Sequence, residues 1–175
     1  MTRSATDAGV RIRRGSVEDL PSIVDILNYT AANSIASFDS HPTTVADRHD
    51  WFEQFSSSGP YRSLVAQSGD QVLGYACSQR YRDHEAFRMT VEVSIALDAT
   101  CRGRGIGSQL YRALFDLLDS APVHVALAGI AVPNDASVAL HRKFGFTEVG
   151  TFREYAVKSG HYLSSVWMQR VCSNE

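Results

Sequence analysis

The feature that most constrains this 175-residue chain is a glycine-rich loop between a strand-like segment and a helix-like segment. Residues 90–114, TVEVSIALDATCRGRGIGSQLYRAL, begin with alternating apolar side chains and end with apolar side chains at helical spacing. The loop between them, residues 102–107, has three glycines at alternate positions and two arginines. Free backbone N–H groups at the positive end of a helix dipole bind phosphate. The segment therefore predicts a strand–loop–helix unit that binds a polyphosphate.

The strand before the loop has one carboxylate, Glu92. Side chains alternate along a strand, so Val91 and Val93 point to one face and Glu92 to the other, among small residues. A carboxylate with space beside it is suited to general-base catalysis. A half-exposed strand with a solvated polar face would show the same pattern, and both interpretations stay open at this point.

Other phosphate-binding motifs fit the loop less well. No Lys-Ser or Lys-Thr pair follows the last glycine, as a P-loop requires. The dinucleotide pattern GxGxxG also fails, because Gly107 comes one position early. A flexible turn between a strand and a helix remains the simpler alternative.

Composition indicates an ordinary globular chain. Apolar residues make up 44% and charged residues 21%, and the net charge of −2 gives no reason to expect a nucleic-acid partner. No apolar run reaches the roughly 20 residues of a membrane span. Three widely spaced cysteines without metal-ligand spacing predict a cytoplasmic protein with no metal site. We expect a flexible tail at residues 1–9 and a single domain at residues 10–175.

The order of periodic segments predicts the fold class. We expect an α/β fold with the order β-α-α-β-β-β-α-β-α-β-β, which is a mixed sheet with helices on both faces. The expected strands are residues 10–14, 61–67, 71–81, 90–97, 123–130, 146–152 and 162–171. The expected helices begin near residues 20, 44, 106 and 134, and the third has an apolar stripe of Ile106, Leu110, Leu114, Leu117 and Leu118.

A second strand–helix unit supplies further candidate residues. Asn134 or Asp135 can cap the fourth helix, and His141 lies one turn after Ser137 on the same face. Two adjacent parallel strands, each followed by a helix, would bring Glu92 and His141 toward one crevice. Taken alone, these are capping residues and a histidine that is more often structural than catalytic.

These motifs resemble the GNAT superfamily of N-acetyltransferases. Arg102-x-x-Gly105-x-Gly107 matches the pyrophosphate-loop signature of that superfamily, Q/R-x-x-G-x-G/A. Residues 134–146 match its later helix. The segments TVEVS at residues 90–94 and PNDASVALH at residues 133–141 are similar to the phosphinothricin and methionine sulfoximine acetyltransferase group. The resemblance covers roughly residues 10–169.

The resemblance implies a GNAT fold with a mostly antiparallel sheet, and direct acetyl transfer from acetyl-CoA to a primary amine without a metal. The pantetheine arm would pair with the backbone of Ser94, Ile95 and Ala96, and Asn134 and Ser137 would meet the middle of the donor. Glu92 would be the general base, and His141 would assist as a base or orient the amine. The diphosphate would lie on Arg102, Gly103, Arg104, Gly105, Ile106 and Gly107.

The acceptor side departs from the relatives. By resemblance, Phe38, Arg82, His84 and Phe87 would bind the substrate, but His84 stands where an arginine is usual and Phe87 where a tyrosine is usual. A site with one firm cation binds a doubly anionic amino acid less tightly, so phosphinothricin (glufosinate) is not the expected preferred acceptor. The resemblance also implies a homodimer. An acetyltransferase for protein or ribosomal-protein amines, and a non-catalytic acyl-CoA sensor, remain alternatives.

Overall fold

The computed structural model describes residues 9–172, so the predicted N-terminal tail lies outside the described residues except for Gly9. The elements follow the predicted order. They are β1 (Arg11–Arg14), α1 (Leu20–Asn33), α2 (Val45–Glu53), β2 (Arg62–Ser68), β3 (Gln71–Arg80), β4 (Thr90–Leu97), α3 (Ile106–Leu118), β5 (Val125–Val132), α4 (Asp135–Lys143), β6 (Thr147–Lys158) and β7 (His161–Val171). None of the helices in this described part of the chain is long and apolar enough to cross a membrane.

The seven strands form one mixed sheet in the order β1-β2-β3-β4-β5-β7-β6. Only the central pair, β4 and β5, is parallel, which confirms the α/β fold with a mostly antiparallel sheet. One face packs against α3, whose buried side chains include Leu110, Tyr111 and Leu114. The other face packs against α1 and α2 through Ile23, Ile26 and Phe55.

The parallel pair separates after three residues. Thr90, Val91 and Glu92 pair with Val125, Ala126 and Leu127, and no pairing between β4 and β5 follows. Beyond that point β4 remains paired with β3 as far as Leu97, while β5 remains paired with β7 as far as Val132. Each strand thus keeps its outer neighbour, and a gap opens in the middle of the sheet.

Two sequence predictions need correction. Leu117 does not join the buried stripe of α3, because its side chain is exposed whereas Leu114 and Leu118 are fully buried. Strand β6 does not end near Phe152 but continues to Lys158. Register shifts between Glu148 and Gly150 and between Phe152 and Ala156 interrupt the alternation of side chains in β6. The period of two that identifies a strand is therefore lost there.

Candidate active site

The gap between β4 and β5 opens into a cavity of about 900 Å³. The cavity passes between the two strands, from the segment 34–37 after α1 to the N-termini of α3 and α4. Its strand walls are Val93, Ser94, Ile95, Ala96 and Leu97 on β4 and Ala128, Gly129, Ile130 and Ala131 on β5. The strand edges that face this gap have no strand partner, so a ligand that carries amide groups can hydrogen-bond there as a further strand would.

The glycine-rich loop forms one end of the cavity. Gly103 and Gly105 have φ angles of 73° and 76°, and Gly105 is the N-cap of α3. A Cβ atom at either position would meet nothing within 4 Å, so the left-handed backbone and not lack of space requires glycine. Gly107 differs, because a Cβ atom there would lie 3.3 Å from Leu140 Cδ2, so the Leu140 side chain would have to shift slightly to admit it. The loop thus directs the free N–H groups of the first turn of α3 toward the cavity.

Cationic side chains surround this end. Arg102 lines the cavity, whereas the exposed Arg104 is not among its lining residues. Lys143, at the end of α4, also lines the cavity and donates a hydrogen bond to Ser108 Oγ at 3.0 Å. The sequence offered no signal for Lys143, because it lies 35 residues from Ser108 and approaches it only when α4 packs beside α3. Helix N–H groups with nearby cations suit a diphosphate.

The N-terminus of α4 forms a second wall. Asn134 caps this helix, since its Oδ1 accepts a hydrogen bond from the Ser137 backbone N–H at 3.2 Å. Both residues line the cavity. The residues predicted to bind the donor therefore meet in one place, with the exception of Arg104. These are Ser94, Ile95, Ala96, Arg102, Gly103, Gly105, Ile106, Gly107, Asn134 and Ser137.

Glu92 lies where the two strands begin to separate. It is the last residue of β4 that pairs with β5, next to the cavity-lining residue Val93. Its side chain is half-buried and makes no hydrogen bond or ion pair with any residue in the range 9–172. Burial raises the pKa of the Glu92 carboxyl above its ordinary value. A partly desolvated, unpaired carboxylate of this kind is suited to accept a proton.

His141 is held differently. The side chain is 3% exposed and lines the cavity. Its Nδ1 lies 2.8 Å from the Ser137 carbonyl oxygen, which can only accept, so Nδ1 carries the proton. Its Nε2 lies 2.7 Å from the Tyr111 hydroxyl and accepts a hydrogen bond from it. Burial lowers the pKa of His141, so the ring is neutral and its one lone pair is already engaged.

The structure does not bring Glu92 and His141 into contact. Val91 and Val93 belong to the buried cluster that contains Tyr111, on the α3 face of the sheet. Alternation along β4 directs Glu92 to the opposite face, toward α1 and α2. Tyr111, the hydrogen-bond partner of His141, was missed from the sequence because an aromatic residue beside Leu110 is equally typical of a core position.

The predicted substrate residues lie on the Glu92 face but outside the lining of the cavity. The Arg82 guanidinium lies 5.0 Å from the Tyr81 ring centre and 5.5 Å from that of Phe87, and it forms no ion pair with a described residue. His84 Nδ1 accepts a hydrogen bond from the Ala86 backbone N–H at 3.1 Å. Phe38 contacts Tyr155 edge-on at 5.8 Å.

One group of potential metal ligands lies away from the cavity. His49, Asp50 and Glu53 on α2 have ligand atoms within 4.8 Å of one another, and all three side chains are exposed. None of them lines the cavity.

The chain is similar to known proteins over most of its length. The profile of the family described as "Acetyltransferase (GNAT) family" matches residues 27–146. The chain is 41% identical over 165 residues to the phosphinothricin N-acetyltransferase of Streptomyces coelicolor, an alignment that covers 93% of this chain and 96% of that one. It is 38% identical over 159 residues to the L-methionine sulfoximine/L-methionine sulfone acetyltransferase of Pseudomonas aeruginosa, covering 90% and 92% of the two chains.

Solved structures show the same similarity. A Salmonella typhimurium protein described as a putative acetyltransferase, solved with its cofactor acetyl-CoA, superposes with a TM-score of 0.89 at 30% identity, over 95% of this chain and 96% of that one. The ribosomal-protein-alanine N-acetyltransferase of Brucella melitensis superposes with a TM-score of 0.85 at 34% identity, over 92% and 99%.

Proposed function

The chain belongs to the acetyltransferase (GNAT) family, and from that premise we propose that it transfers the acetyl group of acetyl-CoA to the primary amine of a small amino-acid-like acceptor. The observation that carries the proposal is the cavity between the separated strands β4 and β5. One end of it is the glycine-rich N-terminus of α3, whose free N–H groups suit a phosphate, and the unpaired carboxylate of Glu92 lies where the strands converge. A donor held along the gap and an amine held at Glu92 would meet there.

The residues of the cavity fit acetyl-CoA, which supplies an activated acetyl thioester. The N-terminus of α3 with Arg102 and Lys143 provides N–H groups and positive charge for the diphosphate. The unpaired edges of β4 and β5 provide hydrogen-bonding groups for the amides of the pantetheine arm. Asn134 and Ser137 lie between these two regions on α4.

Glu92 would take the proton from the substrate ammonium. An amine with a pKa near the 10.4 of lysine is almost entirely protonated at neutral pH, and only the neutral amine attacks. Burial raises the pKa of Glu92 and so makes its carboxylate a better proton acceptor. The neutral amine would then attack the thioester carbonyl directly, without a covalent intermediate on the protein. The C–S bond would break as the amide forms, and the CoA sulfur would leave and take up the proton that the nitrogen loses.

His141 would position groups and not remove the first proton. Its Nε2 lone pair accepts the Tyr111 hydroxyl, and its Nδ1–H donates to Ser137. Both side chains of the pair line the cavity, between α3 and α4. Of the roles that the sequence leaves open for His141, orientation therefore has the stronger support.

A small acceptor is favoured over a protein amine, although one solved relative carries the name of a ribosomal-protein acetyltransferase. The segment 34–37, which lines the cavity after α1, is tied to the β6–β7 hairpin. Lys158 Nζ donates to the carbonyl oxygens of Ser34 at 2.9 Å and Ser37 at 2.7 Å. This connection walls the acceptor side, where a peptide would need an open groove.

We also propose a cytoplasmic homodimer. Val157 and Tyr162 pair across the β6–β7 hairpin and are both largely exposed, as is Val149 on the edge strand β6. Exposed apolar side chains on an edge strand are typical of a self-association site. Cys77, Cys101 and Cys172 are free and buried, which suits a reducing compartment.

A thiol-release assay with acetyl-CoA tests the function. We expect CoA release that depends on a small amino acid, methionine sulfoximine or phosphinothricin and is absent with peptides. Glu92→Gln should lower kcat by about 10²–10⁴-fold, while Asp116→Asn, at an exposed carboxylate on α3, should not.

The rival functions predict other results. Tight CoA binding without acceptor-dependent release would support the sensor, and release with peptides alone would support a protein acetyltransferase. Turnover of Glu92→Gln at the wild-type rate would exclude Glu92 as the base.

A further inference from the structure

A glutamine side chain lies directly opposite Glu92 in the sheet. Gln79 of β3 pairs with Glu92 of β4 in the antiparallel register of these two strands. Residues that are directly opposite in such a pair have Cβ atoms about 4.5–5.5 Å apart on one face of the sheet. Tyr75 and Cys77 pack against α1 on that face, and Gln79 follows them at a spacing of two. Gln79 is therefore the neighbour of the proposed base across β3.

The indole of Trp51, on α2, fixes the orientation of the Gln79 amide. Trp51 Nε1 lies 2.8 Å from Gln79 Oε1. An indole nitrogen can only donate, so the amide oxygen and not the amide nitrogen must face it. The indole is itself held by edge contacts with Phe52, Phe55 and Tyr75, at ring-centre distances of 6.3, 4.9 and 6.1 Å. The amide therefore keeps one orientation, with Nε2 on the side away from the indole nitrogen.

The facing groups of Gln79 and Glu92 have no protein partner. Among residues 9–172, the two N–H donors of Gln79 Nε2 have no acceptor and the Glu92 carboxylate has no donor, and the two side chains do not bond each other. Both side chains are half-buried. Polar groups in such a place bond water when they lack a protein partner. One water can accept from an amide N–H and donate to a carboxylate, so the pair suits a bridging water.

We propose that Gln79 is a positioning residue for the base: its amide, oriented by Trp51, holds the water through which Glu92 takes a proton from the acceptor ammonium. This inference rests on the function proposed above. A proton of the ammonium passes to the water oxygen, and a proton of the same water passes to a Glu92 oxygen. The water is thereby regenerated, and the amine nitrogen keeps the electron pair that attacks the thioester. The bond from Gln79 leaves the water one lone pair for the ammonium and its hydrogens for the carboxylate.

The thiol-release assay at saturating acetyl-CoA tests the role of Gln79. The acceptor is the one with which the wild type releases thiol fastest among the amino acids, methionine sulfoximine and phosphinothricin. Gln79→Leu keeps most of the side-chain volume and removes both N–H donors. We expect kcat to fall about ten- to a hundred-fold, while KM for acetyl-CoA and KM for the acceptor stay within two-fold of the wild type. A merely structural role would not confine the loss to kcat.

A second variant tests the orienting contact. Trp51→Phe removes the indole N–H and keeps an aromatic ring. It should lower kcat about three- to ten-fold, because the amide would no longer keep one orientation, and it should add nothing in the Gln79→Leu background. Gln67→Leu is the matched control, because Gln67 is a half-buried, hydrogen-bonded glutamine on β2 that does not line the cavity. Its kcat should equal that of the wild type.

Three results would overturn the inference. These are a wild-type kcat in Gln79→Leu, a rise in its acceptor KM alone, and an effect of Trp51→Phe that is the same in both backgrounds. If Gln79→Leu does not fold, an unchanged kcat in Trp51→Phe overturns it. Each of these outcomes, with thiol release by the wild type, leaves the acetyltransferase function standing. Absence of wild-type release with every amine would overturn that function and this inference with it.

Discussion

Acid should destabilise this fold through His141, because the structure encloses this side chain in its neutral form. His141 is the one buried histidine of six, since the other five side chains are exposed. Its Nδ1 already carries a proton that is bonded to Ser137, so an added proton must go to Nε2. That proton would prevent Nε2 from accepting the Tyr111 hydroxyl proton and would place a charge in a site that is 3% exposed. The folded state therefore resists protonation.

The sign and slope follow from linkage. Burial lowers the pKa of folded His141, so the unfolded chain takes up the proton first, below a pH of about 6.5. The stability that neutral His141 contributes is complete above that pH and is lost as the pH falls toward its folded pKa. Over that window the free energy of unfolding should fall by up to about 1.4 kcal/mol per pH unit.

Urea unfolding at pH 7.5, 6.5, 5.5 and 5.0 measures this slope. His141→Gln keeps groups that can bond Tyr111 and Ser137 but does not titrate, so its profile should be flatter than that of the wild type. His124→Gln, at an exposed histidine, should keep the wild-type slope. The readout is the difference in slope and not the offset, because any substitution at a buried site lowers stability at all pH values. Parallel profiles for wild type and His141→Gln would refute the reasoning.

Three further substitutions separate the parts of the site. Burial raises the pKa of Glu92, so its ionised form opposes folding. The free energy of unfolding of Glu92→Gln should therefore rise relative to that of the wild type as the pH increases above about 4.5. Urea unfolding at pH 4 and pH 7 measures this difference. Gly105→Ala should lower the free energy of unfolding by about 1 kcal/mol, because Gly105 has a φ of 76°. It should also raise KM for acetyl-CoA. Gly69→Ala, in the β2–β3 turn, is the control and should leave that KM unchanged. Lys158→Met should raise KM for the acceptor and leave KM for acetyl-CoA unchanged, because it releases only the segment 34–37; an equal effect on both would contradict that placement.

Local patterns predicted most of the fold because local physics determines it. Alternation along β4 is strict, so the buried face of Val91 and Val93 and the opposite orientation of Glu92 follow from the sequence alone. Gly103 and Gly105 adopt left-handed backbone conformations that only the loop's own residues decide. The residues predicted to bind the donor meet for the same reason, apart from Arg104.

The remaining site residues depend on contacts between distant segments. Lys143 approaches Ser108, and Tyr111 approaches His141, only after α3 and α4 pack together. A residue that ends an exposed helix turn or sits beside a core leucine carries no local signal of such a contact. The register shifts in β6 erase the alternation that would have shown which of its side chains share a face. These features are properties of the tertiary structure.

The proposed donor end of the site depends mainly on backbone groups, and the proposed acceptor end depends on side chains. This difference explains why the sequence predicted the first and did not predict the second. The proposed donor end consists largely of backbone, namely the unpaired edges of β4 and β5 and the first turn of α3. Backbone groups keep their chemistry whatever side chains surround them, provided that the glycines permit the conformation. The proposed acceptor end consists of side chains from different segments, so each substitution there would change the chemistry directly. His84 and Phe87 can therefore differ from the pattern of relatives while the donor loop keeps its signature. We therefore expect acceptor preference in this chain to depend on the side chains around Glu92 and not on the donor loop that the family shares.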